Sequence, residues 1–191
     1  MKKLLLVLLL VPLVSFGQSI ENNSSSTFLE KYNNTVWTDG ISTIRFRKLS
    51  SINDSNIEPL LLLQIIEQNS RWNGGVKDVY QVPNAHSTMN FVIKLCSAFV
   101  SPHSKFYESD ELAKAMTRAM KCIVSVQHED GTIDLHSTNF HSTPDTAFFV
   151  NYLSPVYLTL KNLNQPRLVN LITNFELFLK KTSQNSNNPF V

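Results

Sequence analysis

The centre of the chain reads His128-Glu-Asp-Gly-Thr-Ile-Asp-Leu-His-Ser-Thr-Asn-Phe-His-Ser-Thr-Pro-Asp-Thr-Ala147. It lies between two strongly apolar segments with helical spacing and contains three of the five histidines. Its end resembles a helix start, because Ser142 or Thr143 can serve as the N-cap. Pro144 fits the first helical turn, and Asp145 suits its positive end. A polar loop of imidazoles and carboxylates between two buried helices is a common place for function, although its Asp-Gly step is also an ordinary turn.

Apolar residues at three- and four-residue spacing predict five helices on both sides of this loop. They are Ile57–Gln68, Ser87–Val100, Ser109–Gln127, a segment around Phe148–Leu160 and a segment beginning at Pro166. Pro59 fits the first turn of the first helix, and Pro155 is expected to kink or divide the fourth. Antiparallel helical hairpins with apolar inner faces form bundles, solenoids or toroids. We therefore predict one mainly α domain over residues 57–181, in which no exact sequence repeat is visible.

The first 18 residues have the pattern of a secretory signal peptide. Lys2 and Lys3 precede the apolar run Leu4–Val14, and Ser15-Phe-Gly-Gln18 follows as a small-residue boundary. The apolar run is too short to be a permanent transmembrane anchor. We therefore expect a secreted or periplasmic protein with no membrane anchor after cleavage near residue 18.

Residues 19–56 are expected to form a flexible segment with a short β-hairpin at residues 35–48. The Asp39-Gly40 turn signal and the alternation of Ile41, Ile44 and Phe46 favour the hairpin. Over residues 27–48 the chain resembles the opening strands of lipocalin-like secreted β proteins, through Tyr32-Asn-Asn-Thr-Val-Trp37. The polar tail, residues 182–191, is expected to be disordered.

Charge and cysteine content exclude some classes of protein. The chain has 17 basic and 15 acidic residues, and loss of two lysines with the signal peptide would leave the charges balanced. A balanced charge argues against nucleic acid as a partner. Cys96 and Cys122, both in apolar helical segments, are either buried free thiols or a disulfide between facing helices. No Cys/His spacing indicates zinc, so neither a metal nor a cofactor is expected.

The stretch Val126–Phe148 resembles the N-terminal α/α-toroid region of secreted heparinase II/III-like proteins of bacteria, which are polysaccharide-lyase-type enzymes. The shared pattern is Asp-Gly-Thr-Ile-Asp followed by Thr-Asn-Phe-His-Ser-x-Pro-Asp-Thr, and Arg71-Trp-Asn-Gly-Gly75 agrees with it. The resemblance covers about residues 57–181 and implies antiparallel helical hairpins that form part of an α/α toroid. The chain departs from the family in lacking an Asn-His pair, so we expect a truncated, catalytically incomplete relative.

The resemblance implies β-elimination from uronic-acid glycans, which needs a group that neutralises the carboxylate, a base and an acid. Asn139 is the candidate neutraliser, and His141 and His136 are the candidate base and acid. Two residues apart in an extended stretch, Asn139 and His141 would point the same way. Alternatively, Asn139 only shapes the loop and His141 packs at a helix start. Candidate substrate-binding residues are Trp72, Asp134, Phe140 and Asp145, of which the two aspartates are also candidates to orient an imidazole.

Three functions stay open at this point. The first is an exported carbohydrate-active protein with an acidic polysaccharide as its partner, and the second is a non-catalytic glycan-binding module. The third is a structural helical module without a ligand. Asp130 and Asp134 also allow a glycoside hydrolase, whose carboxylate pair needs a set separation. A partial toroid would leave helix faces uncovered, which favours self-association.

Overall fold

The computed structural model describes residues 40–135 and 139–185, and this part of the chain is mainly helical, as predicted. Its five α-helices are α1 (Gly40–Leu62), α2 (Ala85–Val100), α3 (Asp110–Val126), α4 (Thr143–Leu163) and α5 (Val169–Asn185). Antiparallel strand pairs precede α2 and α4: β1 (Val76–Lys77) with β2 (Pro83–Asn84), and β3 (Ile133–Leu135) with β4 (Asn139–Ser142). A 3₁₀ turn, Pro166–Leu168, leads into α5. Each helix in these two ranges is too short or too polar to span a lipid bilayer.

Two helical hairpins, α2–α3 and α4–α5, lie side by side. Helices α3 and α5 run parallel, because two hydrogen bonds between them join residues with the same separation in sequence. Asn174 Nδ2 donates to Thr117 O and Lys181 Nζ donates to Val124 O, each at 3.4 Å and each between residues 57 apart. The second helices of the two hairpins therefore form one layer.

Aromatic contacts give the direction of the other helices. Phe149 in α4 contacts Phe178, whereas the later residue Tyr157 contacts the earlier Phe175, so α4 and α5 are antiparallel. Near the start of α2, the His86 ring meets the Phe149 ring edge-on at 4.8 Å, so α2 and α4 begin at the same end. The first helices of the hairpins form the second layer, and the fully buried Phe149, Phe175 and Phe178 lie in the core.

Helix α1 packs antiparallel to α2. Ser50 Oγ lies 2.9 Å from Ser101 Oγ, and Asn53 Nδ2 donates to Lys94 O at 3.2 Å. The later residue of α1 thus contacts the earlier residue on the other side, so the two helices run in opposite directions. Ile57 is fully buried in the core. These contacts all come from residues 50–57. The C-terminal half of α1 is therefore the half that is fixed against the rest of the fold.

The predicted β-hairpin at residues 35–48 is wrong for residues 40–48, which lie in α1, and residues 35–39 lie outside the described residues. The alternation did not mark a buried sheet face, since Ile44 is 67% exposed. Once the later turns are anchored, adding a helical turn costs little. The helix also ends at Leu62 rather than Gln68, because Gln64 pairs with Val76 in a β-bridge. Pro59 consequently lies inside α1 and not in its first turn.

Other local predictions are confirmed. Ser109 caps α3, Ser142 caps α4, and a proline occupies the first turn of α4. Contrary to the predicted division at Pro155, helix α4 continues undivided through this residue. Cys96 and Cys122 are buried free thiols, and burial raises the pKa to about 12 for the first and about 11 for the second.

A turn of distinctive construction precedes the first hairpin. The backbone N of Val76 donates to Thr88 Oγ1 at 3.0 Å, and this hydroxyl donates to the carbonyl of the N-cap residue Asn84 at 2.8 Å. Gly74 adopts a positive φ of 92°, and Nε2 of the buried Gln64 donates to its carbonyl at 2.9 Å. The turn is thereby joined both to the start of α2 and to the end of α1.

The same construction precedes the second hairpin. The backbone N of Ile133 donates to Thr146 Oγ1 at 2.8 Å, and this hydroxyl donates to the carbonyl of the N-cap residue Ser142 at 2.7 Å. Gly131 has a φ of 82°, and Nε2 of the buried Gln127 donates to its carbonyl at 2.9 Å. The two hairpins are therefore a structural repeat, although the sequence shows no exact one.

Candidate functional site

The candidate site lies in the loop between α3 and α4. The turn at Asp130-Gly131 is closed by hydrogen bonds from Gly131 N to His128 O and from His128 N to Thr132 O, both 3.0 Å. Asp130 Oδ1 accepts from the backbone N of Thr132 at 3.0 Å and from its hydroxyl at 2.6 Å. A Cβ at residue 131 would lie 2.3 Å from Lys181 O, so only glycine lets this turn lie against α5.

The pairing of β3 with β4 brings His141 back to Asp130. The strands are antiparallel and Ile133 lies opposite Ser142, so the chain reverses direction between them. His141 Nδ1 lies 2.7 Å from Asp130 Oδ2 and 3.3 Å from Thr132 Oγ1. The side chains of His141 and Asp130 both stay accessible, at 55% and 45% exposed.

A second imidazole–carboxylate pair lies directly against the first. His128 Nε2 is 2.6 Å from Asp134 Oδ1, and the same oxygen accepts the backbone N–H of His141 at 2.9 Å. The two imidazole rings are stacked, with centroids 3.7 Å apart and planes 24° apart. His141 adopts a φ of 52°, which a residue with a side chain rarely does. We call His128, Asp130, Asp134 and His141 the loop cluster.

Both carboxylates of the loop cluster are held in the ionised form. Partial burial raises the pKa of Asp130, but hydrogen bonds from Thr132 and from His141 outweigh it and bring the pKa to about 2. Partial burial likewise raises the pKa of Asp134, and the His141 N–H and His128 more than offset this, so the pKa is lowered. The loop cluster therefore carries two negative charges.

The geometry of His141 suits proton transfer. With Nδ1 beside Asp130, the carboxylate fixes the ring orientation and favours the tautomer that carries its proton on Nδ1. Nε2 is then the nitrogen that can take up or release a proton. A solvent-accessible imidazole held by a carboxylate is the usual arrangement of a general base.

Asn139 does not lie ready to neutralise a substrate carboxylate. Its Nδ2 donates to the hydroxyl of Ser142 at 3.1 Å, so the amide is turned towards the N-cap of α4. The prediction that Asn139 and His141 point the same way assumed extended backbone at both, and the left-handed conformation of His141 breaks that alternation. The alternative, that Asn139 shapes the loop, agrees with this contact.

Asp145 also belongs to the start of α4. Its carboxylate accepts a short hydrogen bond from Ser142 Oγ, and its Oδ1 lies 3.8 Å from His86 Nε2. Burial lowers the pKa of His86, although the Asp145 charge acts in the opposite direction. Asp145 therefore links the starts of α2 and α4 and does not orient an imidazole of the loop cluster. Asp134 does orient an imidazole of the loop cluster, namely that of His128.

The aromatic candidates divide into one structural and one exposed residue. Trp72 is partly buried and packs against the core, where Gly75 lies close to its ring. Phe140, beside His141 in the chain, is 74% exposed. His136, the other predicted catalytic imidazole, lies outside the described residues.

The sequence did not identify Asp130 as the partner of His141, nor His128 as a member of the site. The sequence marks Asp130 as part of a turn and as half of a possible carboxylate pair, and eleven residues separate it from His141. The available signal was the Asp130-Gly-Thr132 turn, because an aspartate there commonly accepts hydrogen bonds two residues on. In the described ranges, no three His, Cys, Asp or Glu side chains are arranged to hold a metal ion.

Comparisons of the chain with known protein families, with curated proteins and with solved structures find no match.

Proposed function

We propose that this chain is an exported carbohydrate-active protein of the heparinase-like type, which binds an acidic polysaccharide at the loop cluster but does not cleave it by itself. The observation that carries the proposal is the solvent-accessible His141 imidazole with Nδ1 held 2.7 Å from Asp130. The resemblance of residues 126–148 to lyases of acidic sugars supplies the substrate class.

Sugar binding is supported by the chemistry around the cluster. Exposed imidazoles and carboxylates can exchange hydrogen bonds with hydroxyl groups. Phe140 presents an exposed ring beside them, and apolar sugar faces pack against such rings.

The absence of cleavage follows from the missing neutraliser. Elimination next to a carboxylate needs that carboxylate to be neutralised while a base removes the proton. The amide of Asn139 is turned to Ser142, so it is not placed to neutralise a substrate carboxylate. Lack of one such stabilising group typically costs about 10²–10³ in rate.

The second candidate, a binding module that never had catalytic chemistry, is favoured by the exposure of Phe140. The two candidates differ in the role of His141. In a degenerate lyase its Nε2 should contact the sugar ring that bears the scissile bond. In a pure binding module, replacing the phenylalanine should be at least as damaging as replacing the histidine.

The test is affinity electrophoresis of the purified protein in gels that contain heparan sulfate or alginate, with absorbance of unsaturated uronates followed in parallel. We expect retarded migration without new absorbance, and loss of retardation in His141→Ala and Phe140→Ala. His103→Ala is the matched control, since His103 is an exposed histidine that contacts Phe46 in α1.

No retardation by either glycan, or equal loss in the His103 control, would refute binding at the loop cluster. Turnover that disappears in His141→Ala would refute the absence of cleavage and make the loop cluster an active site.

A further inference from the structure

A groove of about 480 Å³ lies between α3 and the start of α5, away from the loop cluster. On α3 it is lined by residues at helical spacing, among them Asp110, Lys114 and Arg118. Asn170 of α5 and Arg167 of the 3₁₀ turn line the opposite side. The groove thus collects three cationic side chains and one carboxylate.

Arg118 is positioned by a buried glutamine rather than by an acid. Its Nε and Nη2 both donate to Gln64 Oε1, at 3.2 and 2.9 Å. The glutamine is fixed in turn, because its Nε2 donates to Gly74 O and Ala115 O at 2.9 Å each. The neutral amide orients the guanidinium without cancelling its charge, and Nη1 takes no part in this contact.

The charges in the groove are not balanced. Arg167 forms salt bridges with Asp110 and Glu108, at 2.9 and 3.1 Å. Within residues 40–135 and 139–185, Arg118 and Lys114 form no salt bridge. Arg167 and, more weakly, Lys114 lower the pKa of Asp110, which keeps this carboxylate ionised. The three cationic side chains therefore exceed the two acids, Asp110 and Glu108, by one charge.

We propose that this groove is a binding site for an oxyanion with two negative charges or for a sulfate or phosphate ester. Arg118 and Lys114 would supply the charge, and Asn170, which also lines the groove, would supply a neutral amide donor. A guanidinium and an ammonium that form no salt bridge with an acid are well suited to bind such anions. This site does not depend on the proposed function of the loop cluster.

The test uses inorganic sulfate and glucosamine 6-sulfate as probes, with binding to the purified protein followed by NMR of backbone amides. We expect millimolar or tighter binding of at least one probe, with shifts at Thr117 and Asn170. Lys114→Gln should weaken binding about 10-fold, the effect of one charge-assisted hydrogen bond. Lys94→Gln, which removes the same charge from an exposed lysine of α2, should leave affinity unchanged.

Tighter binding of the sulfated sugar would identify an ester group on a larger molecule as the ligand, and equal or tighter binding of inorganic sulfate would identify the free ion. The proposal is overturned if neither probe shifts the groove amides, or if Lys94→Gln weakens binding as much as Lys114→Gln. A second variant, Arg118→Lys, keeps the charge but loses the fixed orientation and should also weaken binding.

Discussion

A single lysine-to-arginine exchange should stabilise the second hairpin. Gln127 Oε1 is buried and accepts no hydrogen bond from the described residues. In the first hairpin the corresponding acceptor, Gln64 Oε1, receives two hydrogen bonds from Arg118. The residue that corresponds to Arg118 in the second hairpin is Lys181, so we predict that Lys181→Arg satisfies the unpaired oxygen.

The correspondence rests on two independent contacts. A Cβ on Gly74 would meet Arg118 O at 2.2 Å, and a Cβ on Gly131 would meet Lys181 O at 2.3 Å. The amide nitrogen of each glutamine also donates to a carbonyl three residues before the basic residue, which is Ala115 O in one hairpin and Phe178 O in the other. A longer side chain that ends in a guanidinium at residue 181 should therefore reach the unpaired oxygen.

The magnitude follows from the contacts that are gained and lost. Hydrogen bonds to a charged group are worth about 1.5–3 kcal/mol. The exchange gives up the long 3.4 Å contact from Lys181 Nζ to Val124 O, and ordering the longer side chain opposes it by up to about 1 kcal/mol. We expect a net gain near 1 kcal/mol, or roughly 2–4 °C in Tm for a chain of this size.

The assay is urea denaturation followed by circular dichroism, with Lys180→Arg as the control at the exposed neighbouring lysine. The reciprocal change, Arg118→Lys, leaves Gln64 Oε1 without its donors and should cost about 1–3 kcal/mol. If Lys181→Arg gains no more than the control, the oxygen of Gln127 already has a partner and the reasoning from the repeat is refuted.

Three further predictions concern the turn and its titrating groups. Gly131→Ala should lower the free energy of unfolding by about 2 kcal/mol or more, because of its φ of 82° and the close approach to Lys181 O; a loss below about 0.5 kcal/mol would contradict this. Thr132→Val should return the pKa of Asp130 from about 2 towards its ordinary 3.8, as measured by carbon NMR titration. Because Asp130 has a lower pKa in the folded state, its ionisation stabilises the fold above pH 3.8, and this contribution is lost as the pH falls towards 2. If the titration midpoint of Asp130 does not move in Thr132→Val, the Thr132 hydroxyl is not a cause of the lowered pKa. His86 has a pKa below 6.5 in the fold, so the folded state takes up fewer protons and stability should fall as the pH drops below 6.5. His86→Gln should flatten that part of the stability profile, and an unchanged slope would exclude the histidine as its source.

The sequence predicted the helices best where local chemistry and burial agree. Ser109 and Ser142 precede apolar periodic segments, and both cap helices as expected. The predicted β-hairpin failed at residues 40–48. The sequence alternates there, but these residues continue a helix that is fixed to the rest of the fold from Ser50 onwards. Propensity over a few exposed residues cannot oppose a helix already fixed at one end.

The loop cluster was located by composition, but its pairings were not predictable. The partnership of His141 with Asp130 depends on the short β3–β4 pair and on a positive φ at a histidine. Neither leaves a strong signal in a single sequence. The repeat is also not visible in the sequence. Its glutamine and glycine are ten residues apart in the first hairpin and four residues apart in the second.

The buried glutamines have a consequence for how the protein opens. Each begins the turn of one hairpin and is anchored to that hairpin's second helix, while its own backbone follows the preceding helix. In a chain of such nearest-neighbour units, partial unfolding starts at an end and stops at a junction. Detachment of α4–α5 has to break the bonds of Gln127 but leaves those of Gln64 intact. Hydrogen exchange should therefore show two cooperative blocks, with residues 57–126 protected longer than residues 143–185.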